Sequence, residues 1–261
     1  MNKPARLISQ GNVIMKIISV INARSTSRRL PNKCFAQITD DYKTYQIIIL
    51  RAKLAGLPVV FGTSDDNSDD RLAKLAAEEG VDVFRGARLN KIKRWHDCLM
   101  EYNADAMVCI DGDDLAVDFD IVSRVATVMK KGLADVYEAP KDIVCGLLTY
   151  AFNRTAVEKM YSLVSDPEAD TDVVSRYIRA VGLTSAEIPL NANERGLDVR
   201  LTLDYPEDVE FFRRIYKVMP IDASGSALAA KALELGLTEI NWCRQADFLQ
   251  NQQEFNKQVK I

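Results

Sequence analysis

Short β-branched runs alternate along this chain with longer segments of 3.6-residue periodicity, and that alternation constrains the fold more than any other feature. Ile17 to Ile21 reads as a strand, Tyr45 to Ala55 as a helix closed by Gly56, and Pro58 to Phe61 as a strand. A helix from Asp69 to Glu79 closed by Gly80, a strand from Val81 to Phe84 and a helix from Asn90 to Tyr102 continue the pattern. Ala106 to Ile110 then reads as a strand and Phe119 to Lys131 as a helix closed by Gly132. A strand that feeds a helix of this length returns as a parallel neighbour. The expected class is therefore α/β, a mostly parallel twisted sheet with helices on both faces.

The second half is less regular. Strands are expected at Val136 to Glu138, Leu147 to Ala151, Ser185 to Ile188 and Arg200 to Leu203. Helices are expected at about 153 to 163 and 171 to 180, from Pro206 to Val218, from Ser226 to Leu235, and from Asn241 onward. No Pro/Gly linker separates two units, so 261 residues read as one domain over 16–261 ending in helices. Residues 1–15, polar and aperiodic up to Met15, are set aside as an N-terminal tail or appended remnant.

Composition narrows the function classes. Apolar residues make up 48% and charged residues 27%, with a net charge of −3, which fits a packed globule rather than a disordered chain. It also argues against general nucleic-acid binding, which needs a basic face. No apolar run approaches the ~18 residues of a membrane span, and Lys16 to Asn22 is too short for a secretory h-region, so a cytoplasmic protein is expected. Five cysteines, at 34, 98, 109, 145 and 243, form no CxxC pair and suggest buried thiols in a reducing compartment. His96 is the only histidine and no GxSxG elbow accompanies it, which disfavours a Ser/His or Cys/His hydrolase.

Three segments carry chemistry. In an open parallel sheet ligands bind beyond the carboxyl ends of the strands, and the segment Ala23 to Lys33 lies at such an end. It offers Arg24, Arg28, Arg29 and Lys33 with the hydroxyls of Ser25, Thr26 and Ser27, a set suited to a polyphosphate although it contains no glycine. In Cys109-Ile-Asp-Gly-Asp-Asp-Leu115 a strand runs into carboxylates of the kind a hard divalent ion bridging phosphate oxygens requires. Asp118 suits the N-cap of the next helix, leaving Asp111, Asp113 and Asp114 without that structural task. In Leu201-Thr-Leu-Asp-Tyr-Pro-Glu-Asp208, Pro206 suits a first helical turn and Glu207 and Asp208 its dipole. Asp204 is either an N-cap or a second metal ligand beside Asp113.

In this order the segments resemble the cytidylyltransferases of the spore-coat polysaccharide and acylneuraminate type, relatives of the CMP-Kdo synthetases. The A-R-x-x-S-x-R-L-P-x-K signature of that family is matched by Ala23, Arg24, Ser27, Arg29, Leu30, Pro31 and Lys33. Thr63 to Asp66 matches T-S-D-D, Val83 to Gly86 matches V-F-R-G, and Gly112-Asp113 matches the strand-end G-D. Leu201, Thr202, Asp204, Pro206, Glu207 and Asp208 match L-T-x-D-x-P-E-D. The resemblance spans residues 16 to 255 and implies a Rossmann-like nucleotide-diphospho-sugar transferase fold, with transfer of CMP from CTP to an acidic sugar, release of pyrophosphate and use of Mg²⁺. It further implies that Arg29, Lys33, Asp113 and Asp204 are catalytic, with Asp113 and Asp204 on the metal. Ala23, Arg24, Ser27, Arg29, Lys33, Ser64 and Arg94 would bind nucleotide. Relatives are commonly dimers, so a homodimer is expected.

Departures fall at two positions of the basic loop and at three places on the acceptor side. Thr26 and Asn32 stand where glycine is usual, although asparagine tolerates a left-handed turn. The usually acidic stretch after R-G is here Ala87 to Arg94, rich in cations; Asp111 replaces a threonine or glutamine, and Asp170-Thr-Asp172 replaces an Arg-Glu-His. Asn90 suits an N-cap, which puts Lys91, Lys93 and Arg94 in a first helical turn that disfavours each cation by about 0.3–1 kcal/mol. A bound anion would relieve that conflict. The expectation is an acceptor with an extra negative charge held by Lys91 and Arg94, which share a helix flank, with Arg88 and Asp111 beside them. Open alternatives are a nucleotidyltransferase for a phosphorylated acceptor or another nucleotide, and a non-catalytic nucleotide-sugar binder.

Overall fold

The computed structural model describes residues 15–27 and 29–258; the N-terminal tail before Met15 and Arg28 of the basic loop lie outside the described residues. The described residues form seven strands in one sheet: β1 (Ile17–Asn22), β2 (Val59–Ser64), β3 (Asp82–Gly86), β4 (Ala106–Asp111), β5 (Val136–Glu138), β6 (Tyr150–Asn153) and β7 (Ser185–Glu187). Their spatial order is β3-β2-β1-β4-β6-β5-β7. β1, β2, β3 and β4 are mutually parallel, β6 runs antiparallel to both β4 and β5, and β7 is parallel to β5. The expected mostly parallel sheet is therefore present.

Nine α-helices cover it among the described residues: α1 (Thr44–Leu54), α2 (Asp70–Glu78), α3 (Lys91–Glu101), α4 (Phe119–Met129), α5 (Arg154–Leu163), α6 (Val174–Ala180), α7 (Pro206–Val218), α8 (Gly225–Glu234) and α9 (Arg244–Gln258). Strand alternation assigns the two faces. Ile17 and Ile21 of β1 and Val108 and Ile110 of β4 join one core with α1, α4, α7 and α8. Ile18, Val20, Met107 and Cys109 point the other way, into a core built with α3, α5 and α6. Central strands buried on both faces need the unbroken apolar runs seen at Ile17–Ile21 and Ala106–Ile110. The apolar stripe of α3, Ile92, Trp95 and Leu99, is fully buried as its spacing requires.

Short-range signals hold. Asp118 caps α4 by accepting from Asp120 N and Ile121 N, Asn90 caps α3 by accepting from Lys93 N, and Pro206 occupies the first turn of α7. Two strand assignments need correction. Leu147 and Leu148 are core residues of a loop, and the strand begins only at Tyr150. Arg200 to Leu203 is extended but outside the sheet, because its amides bond loop carbonyls: Leu201 N donates to Cys145 O and Leu203 N to Asp113 O. The thiols also divide: Cys34, Cys98 and Cys109 are buried, Cys145 is half-buried and Cys243 is exposed. No described helix is long and apolar enough to cross a membrane.

Candidate active site at the β1/β4 switch point

After β1 the chain moves outward through β2 and β3, then crosses back to place β4 on the other side of β1. Loops leaving β1 and β4 diverge there, at the crevice where open α/β sheets bind ligands. Asn22 and Asp111 are the last register pair. Gly112 follows, its N–H donating to Asn22 O at 2.9 Å. A Cβ on Gly112 would stand 2.5 Å from Ala23 Cβ and 2.8 Å from Asn22 O, so only glycine lets the two loops close.

The basic loop is shaped by Asp69. Its buried carboxylate accepts from Ser25 N at 2.7 Å, Ser64 N at 3.1 Å and the Ser64 hydroxyl, tying the loop to the end of β2. Burial pushes this carboxyl up, but the bonds from Ser25 and Ser64 more than offset that and hold it below the usual range. Ala23 is buried, Ser27 Oγ accepts from Leu30 N at 3.4 Å, and Asn32 adopts the left-handed conformation (φ 60°) that its side chain tolerates where glycine is usual. The turn that follows carries Lys33 inward.

Lys33 Nζ contacts two carboxylates at once, Asp113 Oδ2 at 2.5 Å and Asp204 Oδ1 at 3.0 Å. Arg29 Nη2 reaches the same oxygen of Asp204 at 2.6 Å. Four residues from three distant segments thus meet at one point. Burial lowers the Lys33 ammonium, but Asp113 and Asp204 outweigh it and raise it above its ordinary value. Burial likewise opposes ionisation of Asp204, and Lys33 and Arg29 overcome it, keeping that carboxyl low. Asp113 is raised by burial together with repulsion from Asp204 and Asp111, which Lys33 only partly relieves. Asp114, also buried, is raised well above the usual range by the same desolvation and by Asp113 and Asp111.

Asp204 is not the N-cap of α7. Tyr205 holds that position, and Asp208 Oδ2 accepts from Asp204 N at 2.8 Å and Tyr205 N at 2.9 Å. Behind it lies Arg200, fully buried, with Nε 3.0 Å from Asp208 and Nη2 3.2 Å from the second oxygen of Asp204. Asn241 locks this layer by donating to Arg200 O and Asp208 Oδ1. The sequence assigns no site role to Arg200 or Asn241, and it points to Asp208 as a dipole partner and a motif match but not as the anchor of this layer. An arginine inside a stretch otherwise resembling a buried strand was the available signal.

The acceptor-side expectations meet a mixed outcome. Lys91 crosses from the first turn of α3 to Asp111 Oδ1 at 2.8 Å and lies 5.2 Å over the Trp95 ring. The other Asp111 oxygen accepts from Thr149 at 3.3 Å. Arg94 does not join Lys91 on an open flank: it is only 3% exposed, and its Nη1 donates to Ala87 O at 2.7 Å and Arg88 O at 3.4 Å. Burial, with Arg24 nearby, brings Arg94 down to about 10. Arg24 donates to Arg88 O at 2.9 Å and pairs with Asp172 at 3.3 Å, while Arg88 approaches Asp66 at 4.0 Å. Ser64 is fully buried with its hydroxyl on Asp69, which ties the end of β2 to the basic loop. His96 bonds Asp97 at 2.9 Å and stacks on Tyr161.

No family model matches the chain. An uncharacterized protein of Methanocaldococcus jannaschii is 26% identical over 209 residues, 78% of this chain and 84% of the relative. The spore coat polysaccharide biosynthesis protein SpsF of Bacillus subtilis is 24% identical over 212 residues, 77% of this chain and 86% of its own length. Among solved structures, a cytidylyltransferase from Leptospira borgpetersenii superposes with a TM-score of 0.77 at 24% identity, covering 86% of this chain and 97% of that one. CMP:2-keto-3-deoxy-manno-octonic acid synthetase complexed with CTP superposes with a TM-score of 0.57 at 18% identity, over 77% and 98%. The resemblance carried by the five motifs is borne out, and the fold is the one these nucleotidyltransferases share.

Proposed function

We propose that this protein is a cytidylyltransferase that transfers CMP from CTP to an acidic sugar or related small anionic acceptor, releasing pyrophosphate. The observation that carries this reading is the convergence of Arg29 and Lys33, from the basic loop, on Asp113 and Asp204 at the β1/β4 crevice. An acceptor oxygen attacks the α-phosphorus as the bond to the bridging pyrophosphate oxygen breaks. That chemistry needs positioning and charge neutralisation rather than a side-chain nucleophile. Arg29 and Lys33 exchange carboxylate for triphosphate oxygens when nucleotide binds, and Arg24 extends the cationic side. The Lys91–Asp111 pair offers an ammonium donor and a carboxylate acceptor two residues from Asp113.

The residues present fit a hard divalent ion. Asp113 and Asp204 place oxygens within 3.0 Å of one cationic atom, and the raised Asp113 marks an acidic group in need of more positive charge. Two converging carboxylates suit Mg²⁺, an ion that takes one or two carboxylates and completes its shell with phosphate and water. When bound, magnesium supplies neutralisation of charge on the α-phosphate.

The test is pyrophosphate release with each of four nucleoside triphosphates against acidic sugars and phosphorylated small molecules. CTP with an acidic sugar is the expected productive pair. Release only with a phosphorylated acceptor or another nucleotide would move the substrate assignment. CTP binding without release in any combination would make the protein a non-catalytic binder.

A further inference from the structure

α9 is a polar helix with Leu249 exposed, and it lies against the site through aromatic and cationic side chains rather than an apolar stripe. Phe248 presents its ring to two guanidinium groups, Arg200 at 4.7 Å and Arg29 at 6.0 Å from the centroid. Tyr205, at the start of α7, faces Arg29 at 5.7 Å, Arg200 at 5.4 Å and Arg244 of α9 at 5.2 Å. Asn251 of α9 donates to the Tyr205 hydroxyl at 3.1 Å, Gln245 accepts from Arg200 at 3.2 Å, and Arg244 pairs with Glu207 at 2.7 Å.

These contacts differ in what they leave free. Arg200 is fully buried and fixed by Asp208 and Asp204, so it needs no help from a ring. Arg29 is 38% exposed on the side chain, and among the described residues Asp204 is its one carboxylate partner. A long arginine side chain has many rotamers to lose, and an aromatic face attracts a guanidinium without neutralising it. A second carboxylate at that place would compete with a polyphosphate; a ring does not. We propose that Phe248 is a positioning residue: with Tyr205 it holds the Arg29 guanidinium beside the Asp113/Asp204 crevice, ready for the triphosphate. This rests on the nucleotide reading of the site given above, and assigns a role to a residue 40 positions beyond the last motif.

The test is calorimetric titration of the full chain with CTP and Mg²⁺, comparing wild type, F248A, F248Y, R29A and the double variant F248A/R29A, with circular dichroism as the fold control. F248A is expected to weaken CTP about fivefold, the scale of one cation–aromatic contact, and F248Y to restore it. The double variant should bind no more weakly than R29A, because Phe248 acts through Arg29. Wild-type affinity in F248A, or losses in the double variant that multiply those of the singles, would overturn the proposal. Failure of the wild-type chain to bind CTP would instead reject the underlying nucleotide reading, and the positioning role with it.

Discussion

Lys33 Nζ bridges Asp113 and Asp204, 2.5 Å from one carboxylate and 3.0 Å from the other, although the three residues come from three distant segments of the chain. The two carboxylates are unequal. Asp204 is shared by Arg29, Lys33 and Arg200 and kept ionised, whereas Asp113 relies on Lys33 and is crowded by Asp111 and Asp204.

This inequality separates two variants that lose activity alike. Asp113→Asn and Asp204→Asn should each remove most pyrophosphate release, since each replaces a charged oxygen by a neutral one at the crevice. Their stabilities should diverge. Asp204→Asn leaves three cations short of a buried partner and should cost about 3 kcal/mol, while Asp113→Asn relieves repulsion and should stay within about 1 kcal/mol of wild type. Urea titration reads the difference; equal destabilisation by both would contradict the charge distribution described.

Removing the cations tests the phosphate loop. Arg29→Ala or Lys33→Ala should weaken CTP binding by about 2 kcal/mol, the scale of one charge-assisted partner. Calorimetry showing wild-type affinity in both would return this loop to an ordinary solvated turn.

The acidic cluster also sets a pH dependence. Asp114 is raised by burial and by its neighbours, so the folded chain takes up that proton before the unfolded chain does. Its contribution therefore favours the fold below the raised value and is lost as pH rises through it. Asp204 and Asp69 are held low, so theirs is present above the ordinary carboxyl value of about 4 and disappears as pH falls through their folded-state values. Stability should peak on the acid side of neutrality. Denaturation midpoints measured across that range should show the rise in wild type and a flattened profile in Asp114→Asn; an unchanged slope in the variant would rule out Asp114 as its source.

Lys91→Glu sets a carboxylate against Asp111, where Lys91 now supplies the opposing charge. The expected result is a large rise in acceptor KM with a much smaller change in CTP KM. Equal effects on the two substrates, measured with whichever acceptor supports pyrophosphate release, would remove residues 88–94 from acceptor recognition.

Much of this was legible in the chain because it is local physics. Helix periodicity, the caps at Asn90 and Asp118 and Pro206 in a first turn all follow from bonds and torsions within a few residues. The basic loop and the strand-end aspartates could likewise be placed at one edge of a parallel sheet, since the alternation of strands and helices already determines which ends carry ligands.

What the tertiary structure decided is which surfaces meet. Arg94 illustrates the boundary: about 100° per residue gives its angle on α3 relative to Lys91, but not that the carbonyls of Ala87 and Arg88 occupy that side and bury it. The antiparallel insertion of β6 between β4 and β5, the use of Ser64 inside the loop and the reach of Phe248 toward Arg29 are of the same kind. Lys33 finds Asp113 across 80 residues and Asp204 across 171, and no periodic or capping signal spans such distances. Burial and partner choice are properties of packed neighbours, so a chain read one residue after another shows the charges available but not which of them will share an oxygen.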